Sequence, residues 1–77
     1  MIGRILRKMR KDSNLSQKQL AYMLKIDQTT LSGWERGYRE PIFESIEEIA
    51  KLCGYEITFK SIKTKEELTT KNIFRKE

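Results

Sequence analysis

The side chains of this sequence that are best suited to chemistry are hydrogen-bonding groups and cations between positions 17 and 39. Gln28, Thr29 and Ser32 lie within little more than one turn of a predicted helix. A glutamine amide donates and accepts hydrogen bonds at the same time, and each hydroxyl adds a further donor and acceptor. Groups of this kind recognise a partner rather than break its bonds.

Few residues of this sequence are suited to catalysis or to metal binding. The chain has no histidine, and Cys53 is its only cysteine, which excludes an internal disulfide and a cysteine-built zinc site. Asp12 and Asp27 are the only aspartates, and there is no glycine-rich phosphate loop. We therefore expect a protein that is not an enzyme and that carries no cofactor and no metal.

The charge of the chain is unevenly distributed. It has 16 Lys and Arg against 11 Asp and Glu, for a net charge of +5. Residues 1–11 carry five of the basic residues and no acid, whereas residues 44–48 carry three glutamates and no base. A basic face opposite an acidic one favours a polyanionic partner on one side only. The alternative is that these charges simply solvate a small domain.

Apolar residues that recur every three or four positions predict four helices. In the first of them, Ile2, Ile5, Leu6 and Met9 form one apolar stripe. The predicted helices cover residues 2–13, 17–24, 28–36 and 42–53.

Residues typical of helix ends separate these segments. Ser16 and Gln19 form a capping box at the start of the second helix, and Asp27 is an N-cap signal for the third. Gly37 is suited to the left-handed position that follows a helix. Pro41 is expected as the first residue of the fourth helix, because proline at that position loses no hydrogen bond.

The stretch from Leu15 to Gly37 resembles the helix-turn-helix of the Xre, or Cro/repressor-like, family. The family pattern is roughly L-[ST]-Q-x-x-L-A-x-x-L-x-[IV]-x-x-[ST]-x-[IL]-S-x-W-E-x-G, and the resemblance extends over residues 2–54. The matching residues are Leu15, Ser16, Gln17, Leu20, Ala21, Leu24, Ile26, Thr29, Leu31, Ser32, Trp34, Glu35 and Gly37. The resemblance implies a mainly α, compact four-helix lambda-repressor-like domain.

Two positions depart from the family pattern. Lys25 stands where the family usually has glycine, so we expect a non-glycine residue with positive φ at a modest local cost. Gly33 stands where the family often has a longer polar side chain that faces DNA. Gly33 cannot reach a base, which restricts direct reading to the first turn of the third helix and Ser32.

The resemblance implies double-stranded DNA as partner, with the third helix in the major groove. Base contacts then fall to Gln28, Thr29 and Ser32, and a glutamine amide matches the N6 and N7 groups of adenine. The alternative for Gln28 is a solvent-facing residue. The expected phosphate contacts are Gln17, Arg36, Tyr38, Arg39, Lys8 and Lys11, of which the two lysines can equally be solvated.

A second set of motif residues is expected to build the domain. The resemblance implies a pair between Arg10 and Glu35 that holds the first helix to the third. Ala21 is small where two helices cross, and Gly37 ends the third helix. Trp34 follows Leu31 by three positions, so we expect it in the core rather than stacked on DNA.

After Gly54 the pattern changes to a strand. Tyr55, Ile57 and Phe59 alternate with polar residues. A lone strand needs a partner, and the same strand of a second copy would supply one, as in some antitoxin-like members of the family. Tyr55, Ile57 and Phe59 would then form the dimer interface. The alternative is an extended arm on its own domain.

Three regions follow from these expectations: a DNA-binding domain over 1–54, a strand over 55–62 and a charged tail over 63–77. Thr64 and Glu67 resemble a capping box, and Leu68, Ile73 and Phe74 could give one short helix, although a frayed tail is equally compatible.

The sequence thus predicts a sequence-specific transcriptional regulator, a repressor, that binds an inverted-repeat operator as a homodimer. No apolar run reaches the ~20 residues of a membrane span, and a lone reduced cysteine fits the cytosol, so we expect a cytoplasmic protein. The alternative is an antitoxin that binds a toxin through its C-terminal region and autoregulates its operon.

Overall fold

Four helices and a short hairpin make up residues 1–69, the part of the chain that the computed structural model describes. The helices are α1 (Ile2–Asp12), α2 (Gln17–Leu24), α3 (Gln28–Arg36) and α4 (Phe43–Leu52), and the strands are β1 (Phe59–Lys60) and β2 (Glu67–Leu68). The fold is mainly helical, as predicted. Within this part of the chain, none of the helices has the length and apolar character that crossing a membrane requires.

Each helix contributes one large aliphatic side chain to the centre of the core. Leu6, Leu20, Leu31 and Ile49 are fully buried, and they come from α1, α2, α3 and α4 in turn. Full burial of such a side chain stabilises the fold by ~1.5–3 kcal/mol. Because these four side chains belong to one cluster, the cluster holds the four helices together. Trp34 is half-buried and packs against this core, as expected.

Local backbone chemistry sets both ends of α2 and the start of α3. Ser16 and Gln19 form the predicted capping box, with the Gln19 amide donating to Ser16 Oγ at 3.0 Å and the Ser16 amide donating to Gln19 Oε1 at 2.8 Å. Lys25 follows α2 in the left-handed conformation, with φ at 61°. Asp27 occupies the N-cap position of α3, although its side chain makes no capping hydrogen bond.

Helix α3 ends at Gly37, whose φ of 85° lies in the left-handed region, as predicted. Helix α4 begins later than predicted, at Phe43. Ile42 has an extended backbone and its carbonyl accepts the amides of Ser45 and Ile46, which makes it the N-cap. The expectation that Pro41 is the first residue of the helix is therefore wrong.

Gly3 allows α1 to cross the last turn of α3 at very short range. Gly3 is buried, and a Cβ on it would overlap the carbonyl oxygen of Trp34 and lie 2.6 Å from that of Glu35. Backbone atoms cannot move aside as a flexible side chain can. Ala21, the small residue expected at a helix crossing, is buried, and Gly3 marks a second close crossing that the sequence pattern did not indicate.

The C-terminal strand differs from the prediction in length and in partner. Only Phe59–Lys60 is strand, and it pairs antiparallel with Glu67–Leu68 of the same chain. Ser61 and Lys65 close the hairpin, because the Lys65 amide donates to the Ser61 carbonyl at 2.9 Å. The partner expected from a second copy is thus supplied by the same chain.

The expectation of a short helix capped by Thr64 and Glu67 is wrong for the described residues. Thr64 accepts the Glu66 amide in the hairpin turn, and Glu67 and Leu68 belong to β2. The remaining residues invoked for that helix, Ile73 and Phe74, lie outside the described residues.

Residues 55–58 run back along α1 and α4 before the hairpin begins. The Tyr55 amide donates to the Ala50 carbonyl at 2.7 Å, and Ile57 packs against the core. Phe59 remains 64% exposed. This arrangement is the extended arm named above as the alternative to strand pairing between two copies.

Replacing Gly3 by alanine tests the close crossing of α1 and α3. We expect Gly3→Ala to lower the free energy of unfolding by ~1–3 kcal/mol, because the added methyl group meets backbone oxygens. Gly33→Ala is the matched control, since Cβ would meet no atom within 4 Å there. That variant should gain about 0.5–1 kcal/mol from helix propensity. Thermal unfolding followed by circular dichroism measures both, and equal effects of the two substitutions would contradict the crossing argument.

Candidate nucleic-acid interface

The first turn of α3 presents polar side chains to solvent. Gln28 and Thr29 are exposed and Ser32 is half-buried. Within residues 1–69, the side chains of Gln28 and Thr29 make no hydrogen bond to the protein. Their donors and acceptors are therefore available to an external partner.

Gly33 leaves a gap in this surface. Its Cα faces open space, since an added Cβ would meet nothing within 4 Å. The position is not required for packing in the way that Gly3 is. The helix backbone itself is the surface here, so a partner can approach α3 closely at this point.

A buried ion pair fixes α3 against α1. Arg10 Nε donates to Glu35 Oε2 at 2.7 Å, and Arg10 Nη2 donates to Glu35 Oε1 at 3.0 Å. The two side chains are only 9% and 2% exposed. The pair expected between these residues is present, and its two parallel hydrogen bonds restrict orientation as well as distance.

The hydrogen bonds of Arg10 and Glu35 also extend to α2 and to the loop that precedes it. Arg10 Nη1 donates to the Leu15 carbonyl at 2.8 Å, and Gln17 Nε2 donates to Glu35 Oε1 at 3.0 Å. Among the described residues, no buried side-chain nitrogen or oxygen lacks a hydrogen-bond partner. Gln17, expected at a phosphate, is therefore also a structural link between α2 and α3.

A polar cleft of about 390 Å³, which we call the α2–α3 cleft, opens beside this network. Arg7 and Arg36 border it together with Arg10, Gln17 and Glu35. Arg7 belongs to the basic residues of positions 1–11, but it was not among the expected phosphate contacts. Its spacing of three residues from Arg10 places both on one side of α1, and that spacing was the signal available in the sequence.

Three further expected phosphate contacts lie at the end of α3. The Arg36 guanidinium lies over the Tyr38 ring, 4.9 Å from its centroid, and donates to the Tyr38 hydroxyl at 3.1 Å. Arg39 is exposed. The turn is held because the Tyr38 amide donates to the Gly33 carbonyl at 2.9 Å. These side chains and the exposed polar first turn thus lie at opposite ends of α3.

Lys8 is not brought together with that set. Lys8 lies on the α4 side of α1, where its Nζ donates to Asp12 Oδ2 at 2.8 Å. The Tyr55 hydroxyl donates to the same carboxylate oxygen at 3.1 Å. Lys11 is exposed. Of the basic residues of α1 outside the buried pair, Arg7 is the one that borders the α2–α3 cleft.

These contacts shift the titration of the three groups. The hydrogen bond to Asp12 raises the pKa of Lys8, and the bonds from Lys8 and then Tyr55 lower the pKa of Asp12. The hydrogen bond that Tyr55 donates to Asp12 raises the pKa of Tyr55. Asp12 therefore adds stability at neutral pH that is lost as the pH falls through its lowered pKa. The contributions of Lys8 and Tyr55 are lost as the pH rises through their raised pKa values.

Helices α2 and α3 are joined by a tight turn, the polar first turn of α3 is exposed, and arginines lie at its flanks. This arrangement defines a DNA-binding helix-turn-helix domain. The comparison with protein families agrees, since the family described as Helix-turn-helix matches residues 6–60. The chain belongs to this family, which is of the Xre/Cro type.

One curated relative is a transcription factor. The chain is 37% identical over 65 residues to a protein of Enterococcus faecalis named HTH-type transcriptional activator BcrR. The match covers 84% of this chain and 31% of that protein. No solved structure gave a significant match.

Removal of one member of the buried pair tests how strongly α3 depends on it. We expect Arg10→Met to lower the free energy of unfolding by ~3–5 kcal/mol, because Glu35 is left charged and buried. Lys8→Met on the same helix breaks only an exposed pair and should change stability far less. The double variant Arg10→Met/Glu35→Met should recover much of the loss. Chemical denaturation measures all three, and a single variant as stable as Lys8→Met would refute the role assigned to the pair.

Replacing Asp12 by asparagine tests the contact to Tyr55. We expect the pKa of Tyr55 to fall toward its ordinary value, because the hydrogen bond to a carboxylate is lost. The titration can be followed by NMR on ¹³C-labelled tyrosine, with the signal assigned from Tyr55→Phe. Asp27→Asn is the control and should leave the Tyr55 titration unchanged. An unaltered Tyr55 pKa in Asp12→Asn would show that the contact does not persist in solution.

Proposed function

We propose that this regulator binds double-stranded DNA in a sequence-specific manner, with α3 in the major groove. The observation that supports this most directly is the exposed, unpaired first turn of α3, whose orientation is fixed from below by the pair of Arg10 and Glu35. Side chains at the start of such a helix face base edges when the helix lies in the groove.

Gln28 is the proposed reader of one adenine. Its side-chain amide forms a bidentate pair with adenine, in which the NH2 group donates to N7 and the carbonyl oxygen accepts from the N6 amino group. Thr29 and Ser32 each add a hydrogen bond or a contact to a thymine methyl group. Gly33 contributes no side chain, so it brings the helix backbone nearer to the groove instead.

The proposed phosphate contacts lie on both sides of α3. Arg36, Tyr38 and Arg39 are at its end, and Gln17 is at the start of α2, where free backbone amides attract an anion. We add Arg7 to this set because it borders the cleft next to Gln17, whereas Lys8 is paired with Asp12 on the other side of α1. Lys11 is exposed and stays a proposed phosphate contact. Contacts of this kind position the protein without reading sequence.

The proposed operator is an inverted repeat bound by a homodimer. Two copies related by a two-fold axis place their recognition helices about 34 Å apart, one turn of DNA. A domain that covers promoter DNA excludes polymerase, so we propose repression as its action. The Enterococcus relative, named an activator, is a longer protein of which this chain covers 31%.

The antitoxin alternative has no support from the described residues. It places the toxin contact in the C-terminal region, and residues 70–77 of that region lie outside the described residues. We propose a role that is not enzymatic.

Selection of bound sites from random duplexes, read at two salt concentrations, tests the proposal and yields the operator. With that operator, Gln28→Ala should weaken specific binding by ~1–3 kcal/mol and leave random DNA unaffected. Arg39→Ala should weaken binding to both and flatten the dependence on salt, because one phosphate contact is lost. Lys51→Ala, an exposed lysine of α4, is the control and should change neither.

Three outcomes would contradict this assignment. An equal loss on specific and random DNA for Gln28→Ala would remove its role as reader. An unchanged salt slope for Arg39→Ala would remove the phosphate contact. Failure of the wild-type chain to enrich any sequence would refute sequence-specific binding as a whole.

A further inference from the structure

An apolar groove of about 640 Å³ lies between α1, α4 and residues 55–58. We call it the α1–α4 groove. Met9, Ile46 and Ile57 form its base, and these side chains also pack in or against the core. Large apolar side chains at its edge remain open to solvent, with Ile5 51% exposed and Phe43 43% exposed.

The two walls of the α1–α4 groove carry opposite charges. Arg4 lies on the wall formed by α1, and Glu56 lies on the wall formed by residues 55–58. Neither has an ion-pair partner within residues 1–69. Lys8 also lines the α1 wall, but its charge is already paired with Asp12. Glu47 adds a further acid beside the α4 wall, because it follows Phe43 by four residues on the helix.

We propose that a second copy of this chain occupies the α1–α4 groove and that Arg4 of each copy faces Glu56 of the other. In a two-fold contact, residue i of one copy meets residue j of the other and j meets i. A surface with one basic and one acidic wall is therefore complementary to itself. A partner of a single charge, such as a nucleic acid, would satisfy one wall and be repelled by the other.

The recognition surface stays free in such a dimer. No residue of α2 or α3 lines the α1–α4 groove, so Gln28 and its neighbours remain open to DNA. Strand pairing between copies is not needed, because β1 already pairs with β2 of its own chain. Tyr55 and Ile57 still belong to the proposed interface, through their side chains in the groove. The inference rests on the proposed function only in giving the operator its symmetry.

Sedimentation of the full chain without DNA tests the surface by itself. We expect a reversible dimer whose dissociation constant rises at least tenfold in Ile5→Glu, on the order of the effect of one well-packed interface residue. Ile62→Glu is the matched control, since Ile62 is 87% exposed and does not line the groove. It should leave the dimer intact. Circular dichroism establishes that both variants are folded.

Charge reversal gives a second test that does not depend on apolar packing. Arg4→Glu and Glu56→Arg should each weaken their own homodimer by about tenfold or more. A mixture of the two variants should recover a heterodimer, because both ion pairs are then restored with reversed signs. Sedimentation of the mixture with one labelled variant measures this directly.

Several outcomes would overturn the proposal. They are a monomeric wild-type chain, a mixture of charge variants that fails to associate, and a dimer that dissociates in Phe59→Glu but not in Ile5→Glu. The last result would place the interface at the strand edge. Binding of each variant to a half-site duplex separates this failure from failure of the proposed function, because a monomer with intact α3 still recognises one half-site.

Discussion

The buried pair of Arg10 and Glu35 is the constraint on which the surface of α3 depends. Two hydrogen bonds join α1 to α3, a third reaches the loop at Leu15, and a fourth joins Gln17 of α2 to the same carboxylate. Neither α1 nor α3 can rotate alone without leaving a charge unpaired in the interior. A buried ion pair is poor evidence for added stability, since its desolvation cost offsets much of its attraction. Here the ion pair fixes the orientation of α3 relative to α1.

The local parts of the fold could be predicted from the sequence because they depend on neighbouring residues. The capping box of Ser16 and Gln19 and the end of α3 at Gly37 follow from rules that act within one turn of chain. The left-handed Lys25 follows instead from the family resemblance, in which glycine usually occupies that position. The exposure of Gln28 and Thr29 follows from the same helix phase.

The parts that could not be predicted depend on residues distant in sequence. The need for glycine at position 3 comes from carbonyl groups more than thirty positions away. The partner of β1 comes from a polar stretch with no clear alternation. Arg7 and Lys8 are adjacent, yet a step of about 100° around the helix places Arg7 at the α2–α3 cleft and Lys8 with Asp12 and Tyr55. Composition alone cannot separate two neighbouring cations.

The open space beside Gly33 has a consequence for how this family can diversify. Because nothing packs against that position, a mutation to almost any side chain would leave the core and the buried network undisturbed. The position also lies on the face of α3 that points outward. In the proposed complex with DNA, a single codon change there would add a new base contact and alter operator preference while the scaffold stays the same. Descendants of one ancestral gene could in this way acquire distinct regulons before any other part of the domain had changed.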